Sequence, residues 1–213
     1  MNSGQDDETT SIVTAARDDS QLYRSSWRVF CAVDLPDNVP ALLMDHIKRL
    51  RAMLPNAEAS WSREENIHLT IKFLGQISVS RVGDLSSAAA RTAAGCSPFS
   101  ISVEETGVFP NYGKPRVLWI GVKDESGKLA ELHTRFEKEC AREGLPVEAR
   151  SFSPHLTIAR LRKPQFARAL GTAHEGMTFK RVPVRVEQFS VIRSGPGSSG
   201  SKYTVISTHP LGG

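Results

Sequence analysis

Residues 67–73 read Ile67-His68-Leu69-Thr70-Ile71-Lys72-Phe73, and residues 153–158 read Ser153-Pro154-His155-Leu156-Thr157-Ile158. The first stretch alternates strictly, apolar on odd positions and polar on even ones. That is the period-2 signature of a half-buried strand, and the second stretch repeats it. The tetrapeptide His-Leu-Thr-Ile thus occurs twice, 87 residues apart, in a chain with six histidines. On each strand His and Thr share one face while Leu and Ile point into the core.

Working outward from this echo, residues 29–33 (Val-Phe-Cys-Ala-Val) form a short apolar run ended by Asp34-Leu35-Pro36, a buried strand. Val39, Leu42, Leu43, Ile47, Leu50 and Leu54 recur at helical spacing, with Pro40 in the first turn. An Ala-rich helix is expected over 82–94 and an amphipathic one through Leu129, Leu132, Phe136 and Cys140, stopped by Gly144 and Pro146. Further strands are expected at 99–104, 117–122, 182–192 and 203–207, the last two around a Gly/Ser-rich loop at 195–201. This mixed order argues an α+β fold with largely antiparallel sheet rather than a doubly wound parallel one. No glycine-rich phosphate loop is present.

The chain has 213 residues, with 27 basic and 23 acidic side chains and a formal charge of +4. Residues 1–26 carry net −3, from Asp6, Asp7, Glu8, Asp18 and Asp19 against Arg17 and Arg24; with no periodic apolar pattern they read as a disordered polar tail. Residues 27–208 are expected to form the folded domain and 209–213 a C-terminal tail. The basic excess is local: residues 150–193 hold nine bases against two acids, while 27–149 are net −1. A charge run of this kind is either a solvated face or an anion-binding surface, nucleic acid being the obvious anion. No apolar run is long enough to span a membrane, and the N-terminus lacks a signal-peptide core, so a cytoplasmic protein is expected. Cys31, Cys96 and Cys140 fit neither a disulfide framework nor a zinc knuckle.

If the two His-x-Thr strands lie side by side or across a pseudo-twofold, two imidazoles and two hydroxyls converge. Imidazoles that titrate near neutrality serve as general base and general acid, and hydroxyls are neutral donors to non-bridging phosphate oxygens. Other readings stay open on the residues alone: a metal site, a pair of core histidines, or a basic RNA-binding surface without turnover. Each motif supplies one His and no carboxylate or cysteine on the same face within two residues, whereas catalytic zinc takes three protein ligands. Lys72 is in phase with His68 and Thr70 and is expected at the cleft edge. Strict alternation puts Arg160 on the face opposite His155 unless the strand bends. Phe152 and Tyr203 are candidates for stacking on a base, and Arg162, Lys163 and Arg168 for tracking a nucleic-acid backbone. His46, His133, His174 and His209 read as ordinary surface or helix residues.

The segments H-L-T-I-K-F-L-G at 68–75, P-H-L-T-I-A-R at 154–160, R-V-F-C-A-V-D-L-P at 28–36 and R-V-L-W-I-G-V at 116–122 resemble the 2H phosphoesterases. The similarity is to the branch of RNA 2′,3′-cyclic phosphodiesterases, also called 2′-5′ RNA ligases, and runs from about residue 27 to 208. It implies two similar lobes, each an antiparallel sheet with helices outside, and a central cleft carrying the paired motifs. It further implies catalysis without metal or other cofactor, His68 as proton donor to the leaving oxygen and His155 as the acceptor that activates water. Thr70 and Thr157 are implied to bind phosphate and Arg160 to stabilise phosphoryl charge. The implied reaction opens a terminal 2′,3′-cyclic phosphate to a 2′-phosphate, with ligation as a reverse-type side reaction. The partners expected are RNA ends or cyclic nucleotides and no membrane, with the protein a monomer. A small cyclic nucleotide as substrate on the same fold, or a non-catalytic RNA-binding module, are the alternatives.

Overall fold

The computed structural model describes residues 26–212 apart from Tyr112 and Ser199; the polar tail expected at 1–26 lies, but for Ser26, outside the described residues. In chain order the elements are β1 (Ser26–Val33), α1 (Asn38–Met53), β2 (Ser60–Trp61), β3 (Leu69–Ser78), α2 (Val82–Ala94), β4 (Phe99–Phe109), β5 (Val117–Lys123), α3 (Lys128–Arg142), β6 (His155–Arg160), α4 (Pro164–Glu175), β7 (Val182–Val186), β8 (Gln188–Gly197) and β9 (Gly200–Pro210). The strands make two antiparallel sheets, one ordered β3-β1-β8-β9 and the other β2-β6-β5-β4-β7. The α+β expectation holds, with one His-x-Thr strand in each sheet.

Helices α2 and α3 cover the four-stranded sheet, α2 against β8 and β9, and Phe136 of α3 edge-on to Phe189 of β8 at 5.4 Å. Helix α4 lies on β4 of the five-stranded sheet, and α1 packs beside α4. One contiguous apolar core runs through both layers, including Val29, Cys31, Leu43, Leu69, Leu118, Leu156 and Phe189. Burying each such side chain stabilises the fold by roughly 1.5–3 kcal/mol before entropy is counted.

Some elements depart from the sequence reading for reasons that tertiary pairing supplies. The single strand expected at 182–192 divides at Glu187, β7 joining β4 in one sheet and β8 joining β1 in the other. The Gly/Ser-rich loop expected at 195–201 belongs to the β8–β9 hairpin, whose register runs to Gly197 opposite Gly200. Helix α4 is signalled by Phe166, Ala167, Leu170 and Ala173 at helical spacing and by Pro164 at its start, which the basic cluster had masked. Residues 209–212 do not trail: His209 pairs with Phe189, the Leu211 amide donates to the Glu187 carbonyl at 2.8 Å, and the Leu211 side chain is buried.

Candidate active site

His68 immediately precedes β3 and His155 opens β6, and both rings are tethered in the same way. Nδ1 of His68 lies 2.8 Å from the Asn66 carbonyl oxygen, and Nδ1 of His155 lies 2.7 Å from the Ser153 carbonyl oxygen. A carbonyl only accepts, so each Nδ1 carries the proton and donates. In the neutral rings each Nε2 therefore offers its lone pair. The two carbonyls are each two residues upstream, so every His-x-Thr strand orients its own imidazole.

Aromatic rings hold both imidazoles. Phe30 of β1 lies 4.6 Å from His68 and Tyr203 of β9 lies edge-on to it at 5.3 Å. Phe109 of β4 lies edge-on to His155 at 5.0 Å, with Trp119 of β5 at 6.5 Å. Trp119 reaches this place because Gly107 opposes it across the β4–β5 ladder. A Cβ on Gly107 would come within 2.2 Å of the indole.

The pairing register decides what else faces the histidines. In β3 Thr70 pairs with Ala32 but Lys72 pairs with Cys31, so Ile71 is an extra, bulged residue. In β6 Thr157 pairs with Trp119 but Ala159 pairs with Leu118, so Ile158 is the extra residue at the same motif position. Each bulge turns two consecutive side chains inward and returns the following one to the histidine face. Ile71 and Lys72 are buried and Phe73 is exposed; Ile158 and Ala159 are buried and Arg160 is exposed.

Two expectations are decided by this. Arg160 meets the requirement for a bend, and its charge reaches both imidazoles. Burial pushes the His68 imidazole down to about 4; the Asn66 carbonyl pulls the other way, and the charges of His155 and Arg160 add to the depression. Burial also lowers His155, opposed by the Ser153 carbonyl and reinforced by Arg160. β3 and β6 approach one another across the two sheets, and the charges of His155 and Arg160 on the second both bear on His68 at the first. Lys72, expected at the cleft edge, is corrected: the Ile71 bulge turns it into the core, where Nζ donates to both carboxylate oxygens of Glu137 on α3 at 2.6 and 2.7 Å.

Thr70 and Thr157 are half-buried, and their hydroxyls have no hydrogen-bond partner among the described residues. Ser62 fastens the backbone beside the second motif, its hydroxyl donating to the Thr157 carbonyl at 2.8 Å and its amide to the Ile158 carbonyl at 2.9 Å. Tyr203 stands with His68 and Phe30, whereas Phe152 is stacked on His133 of α3 at 4.2 Å and packs against the main core. Arg162, Lys163 and Arg168 are exposed, Lys163 in an ion pair with Glu58. Phe30, Phe73, Phe109 and Trp119 are ring neighbours of the two imidazoles or of each other that the His-x-Thr alternation does not mark. Phe73 had a signal, its place in the first motif, but the bulge that exposes it is invisible in one strand's sequence.

His46 and His174, expected as ordinary surface or helix residues, are fully buried. Nε2 of His174 lies 3.0 Å from the Trp119 carbonyl oxygen, so it donates. His174 Nδ1 then accepts from His46 Nε2 at 3.1 Å, and His46 Nδ1 accepts from Arg49 at 3.4 Å. Helices α1 and α4 are thereby tied to the strand that carries the His155 neighbour Trp119. Among the described residues, no three His, Cys, Asp or Glu side chains are grouped to hold a metal ion. Nor is any helix long and apolar enough to cross a membrane.

The family description "LigT like Phosphoesterase" matches the chain twice, over residues 33–119 and 120–203, one His-x-Thr strand in each match. The chain belongs to the LigT-like phosphoesterase family. As a LigT-like phosphoesterase it is 32% identical over 183 residues to the RNA 2′,3′-cyclic phosphodiesterase of Methanothermobacter thermautotrophicus, covering 83% of this chain and 95% of that protein. The Thermotoga maritima protein of the same name is 29% identical, covering 84% and 92%. Among solved LigT-like structures, TT0787 of Thermus thermophilus superposes with a TM-score of 0.66 at 26% identity, covering 86% of this chain and 97% of that one. Escherichia coli LigT complexed with 3′-AMP gives 0.66 at 25% identity, covering 87% and 98%.

Proposed function

We propose that this phosphoesterase hydrolyses the 2′,3′-cyclic phosphate at RNA ends to a 2′-phosphate by two-histidine acid–base catalysis. The observation that carries this reading is the paired tethering of His68 and His155 through Nδ1, which leaves two equivalent Nε2 atoms for proton transfer, with Arg160 on the histidine face of β6. The names of the relatives support the substrate class.

Nε2 of His155 accepts a proton from water as the water oxygen bonds to phosphorus. The bond from phosphorus to the ribose 3′-oxygen breaks, and that oxygen takes the proton from Nε2 of His68. The hydroxyls of Thr70 and Thr157 donate to the non-bridging oxygens, and the Arg160 guanidinium stabilises their charge as it grows. Tyr203 bears on the nucleoside. With a 5′-hydroxyl in place of water, the same proton transfers yield a 2′–5′ linkage, the reverse-type ligation.

The test is turnover of an RNA oligomer ending in a 2′,3′-cyclic phosphate. His68→Ala and His155→Ala are each expected to lower kcat by about 10²–10⁴, with 2′-phosphate as the wild-type product and no effect of a chelator. Loss of wild-type turnover in chelator would sink the acid–base reading. Salt-sensitive RNA binding that survives both substitutions without product would make the protein a binding module. Competition by a cyclic mononucleotide as strong as by the oligomer would make the small nucleotide the substrate.

A further inference from the structure

The two bulges are held in different ways. Lys72 and Ala159 occupy equivalent positions, each the second of the two side chains turned inward. Lys72 anchors its bulge through the ion pair with Glu137, whereas Ala159 ends in a methyl group that offers packing alone. The strands differ on their outer side as well: β3 is the edge of its sheet, while β6 has β2 beside it.

A bulge interrupts the alternation by which successive carbonyls of a strand serve opposite neighbours. In β6 the carbonyls of Thr157 and Ile158 both accept from one half-buried residue, Ser62, which follows β2. The Ile158 oxygen takes its amide at 2.9 Å and the Thr157 oxygen its hydroxyl at 2.8 Å. Ser60 and Trp61 bring Ser62 to that place by pairing with Arg160 and Ala159. Beyond it, Arg63 Nη2 and Asn66 Nδ2 donate to the Ser201 carbonyl at 2.7 and 3.2 Å, so the segment is fastened on both sides of Ser62. Ile158 is the extra residue, and it decides the face on which Arg160 emerges. Without an added residue, alternation from His155 and Thr157 would turn Ala159 to the histidine face and Arg160 away from it.

We propose that Ser62 is a positioning residue: its hydroxyl, bonded to the Thr157 carbonyl, fixes the bulge at Ile158 and so holds Arg160 on the histidine face. The use made of that arginine in phosphoryl transfer rests on the acid–base reading; its placement does not. The hydroxyl gives β6 the polar tie that the buried lysine gives β3.

The experiment uses the full chain with Ser62→Ala, Ser62→Thr, Arg160→Met and the double variant Ser62→Ala with Arg160→Met. Imidazole titrations of His68 and His155 are followed by NMR, and kcat and KM are measured on adenosine 2′,3′-cyclic phosphate. Ser62→Ala is expected to raise both titrations toward those of Arg160→Met, and to lower kcat by about 10- to 100-fold with a smaller change in KM. Ser62→Thr keeps the hydroxyl and is expected to bring both readouts back toward wild type. Because the two residues act as a unit, the double variant should lose little more than Arg160→Met alone. Ser62→Cys, near in size with a weaker donor, carries the same comparison where Ser62→Ala does not fold. Titrations that stay at their wild-type values, or kcat losses that multiply in the double variant, overturn the proposal. Titrations that rise in a protein that opens no cyclic phosphate uphold the positioning and overturn the reaction instead.

Discussion

Lys72 of β3 and Glu137 of α3 form a doubly hydrogen-bonded ion pair in the core of the four-stranded lobe, the lysine side chain 1% exposed and the glutamate 14%. Glu137 also accepts from the Glu148 amide at 3.3 Å. The pair ties a catalytic-strand candidate to the helix behind it.

Removing one partner of such a pair strands the other charge. Lys72→Ala is expected to destabilise the fold by about 3–5 kcal/mol, read from chemical denaturation. The double variant Lys72→Met with Glu137→Leu is expected to recover most of that loss, because no buried charge is then left alone. Where the double variant is folded, its KM for a cyclic phosphate should match wild type. A specific rise in KM would return Lys72 to the binding machinery.

Acid–base catalysis needs one imidazole protonated and the other neutral. Burial and Arg160 lower both, His68 to about 4, so in the free protein that state is populated on the acid side of the ordinary histidine value of 6.5. The expected kcat/KM therefore falls with rising pH across the neutral range, approaching about tenfold per pH unit. Arg160→Met removes a positive charge near both rings. It should raise both imidazole titrations, visible by NMR, and move the falling limb to higher pH while lowering kcat. Histidine titrations that do not move would place Arg160 away from the site.

The His46–His174 pair has the opposite task, staying neutral. Burial first, then His174 and Arg49, push His46 down to about 4, and burial lowers His174 as well. Lowered imidazoles bind fewer protons folded than unfolded, so stability is full above 6.5 and is lost as pH falls toward the folded value. For His46 this loss approaches about 3 kcal/mol near pH 4. Urea midpoints at pH 7, 5.5 and 4.5 should show it, and the double variant His46→Leu with His174→Leu should flatten the dependence.

Gly107 leaves room for the Trp119 ring behind His155. Gly107→Ala is expected to displace the indole, lowering kcat more than it raises KM and destabilising the fold by about 1–3 kcal/mol. Crystallography of the variant would show the shifted ring. Wild-type kcat with a displaced ring would separate Trp119 from the positioning of His155.

Much of the site can be read along the chain because its first elements are local. Alternation puts His68 with Thr70 and His155 with Thr157, and a carbonyl two residues upstream fixes each ring within the same few residues. Lys72 and Phe73 cannot be placed that way. Extended from His68, the alternation assigns Lys72 to the site and Phe73 to the core, and the structure reverses both. Phe152 resembles a base-stacking ring in sequence, yet its partner His133 is on another element. His46 and His174 are far apart in sequence, and nothing near either histidine announces the other.

The sequence by itself determined the α+β class, the duplicated His-x-Thr strands and the orientation of four polar side chains on them. These follow from side-chain periods and turn chemistry that a strand or helix carries alone. Only the tertiary structure decided which strand each motif pairs with, where an extra residue enters the ladder, and so which of Lys72, Phe73, Ala159 and Arg160 faces the site. A bulge is a mismatch between two strands' residue counts. Neither strand's sequence contains it, and the pairing that creates it is settled by burial of the whole core.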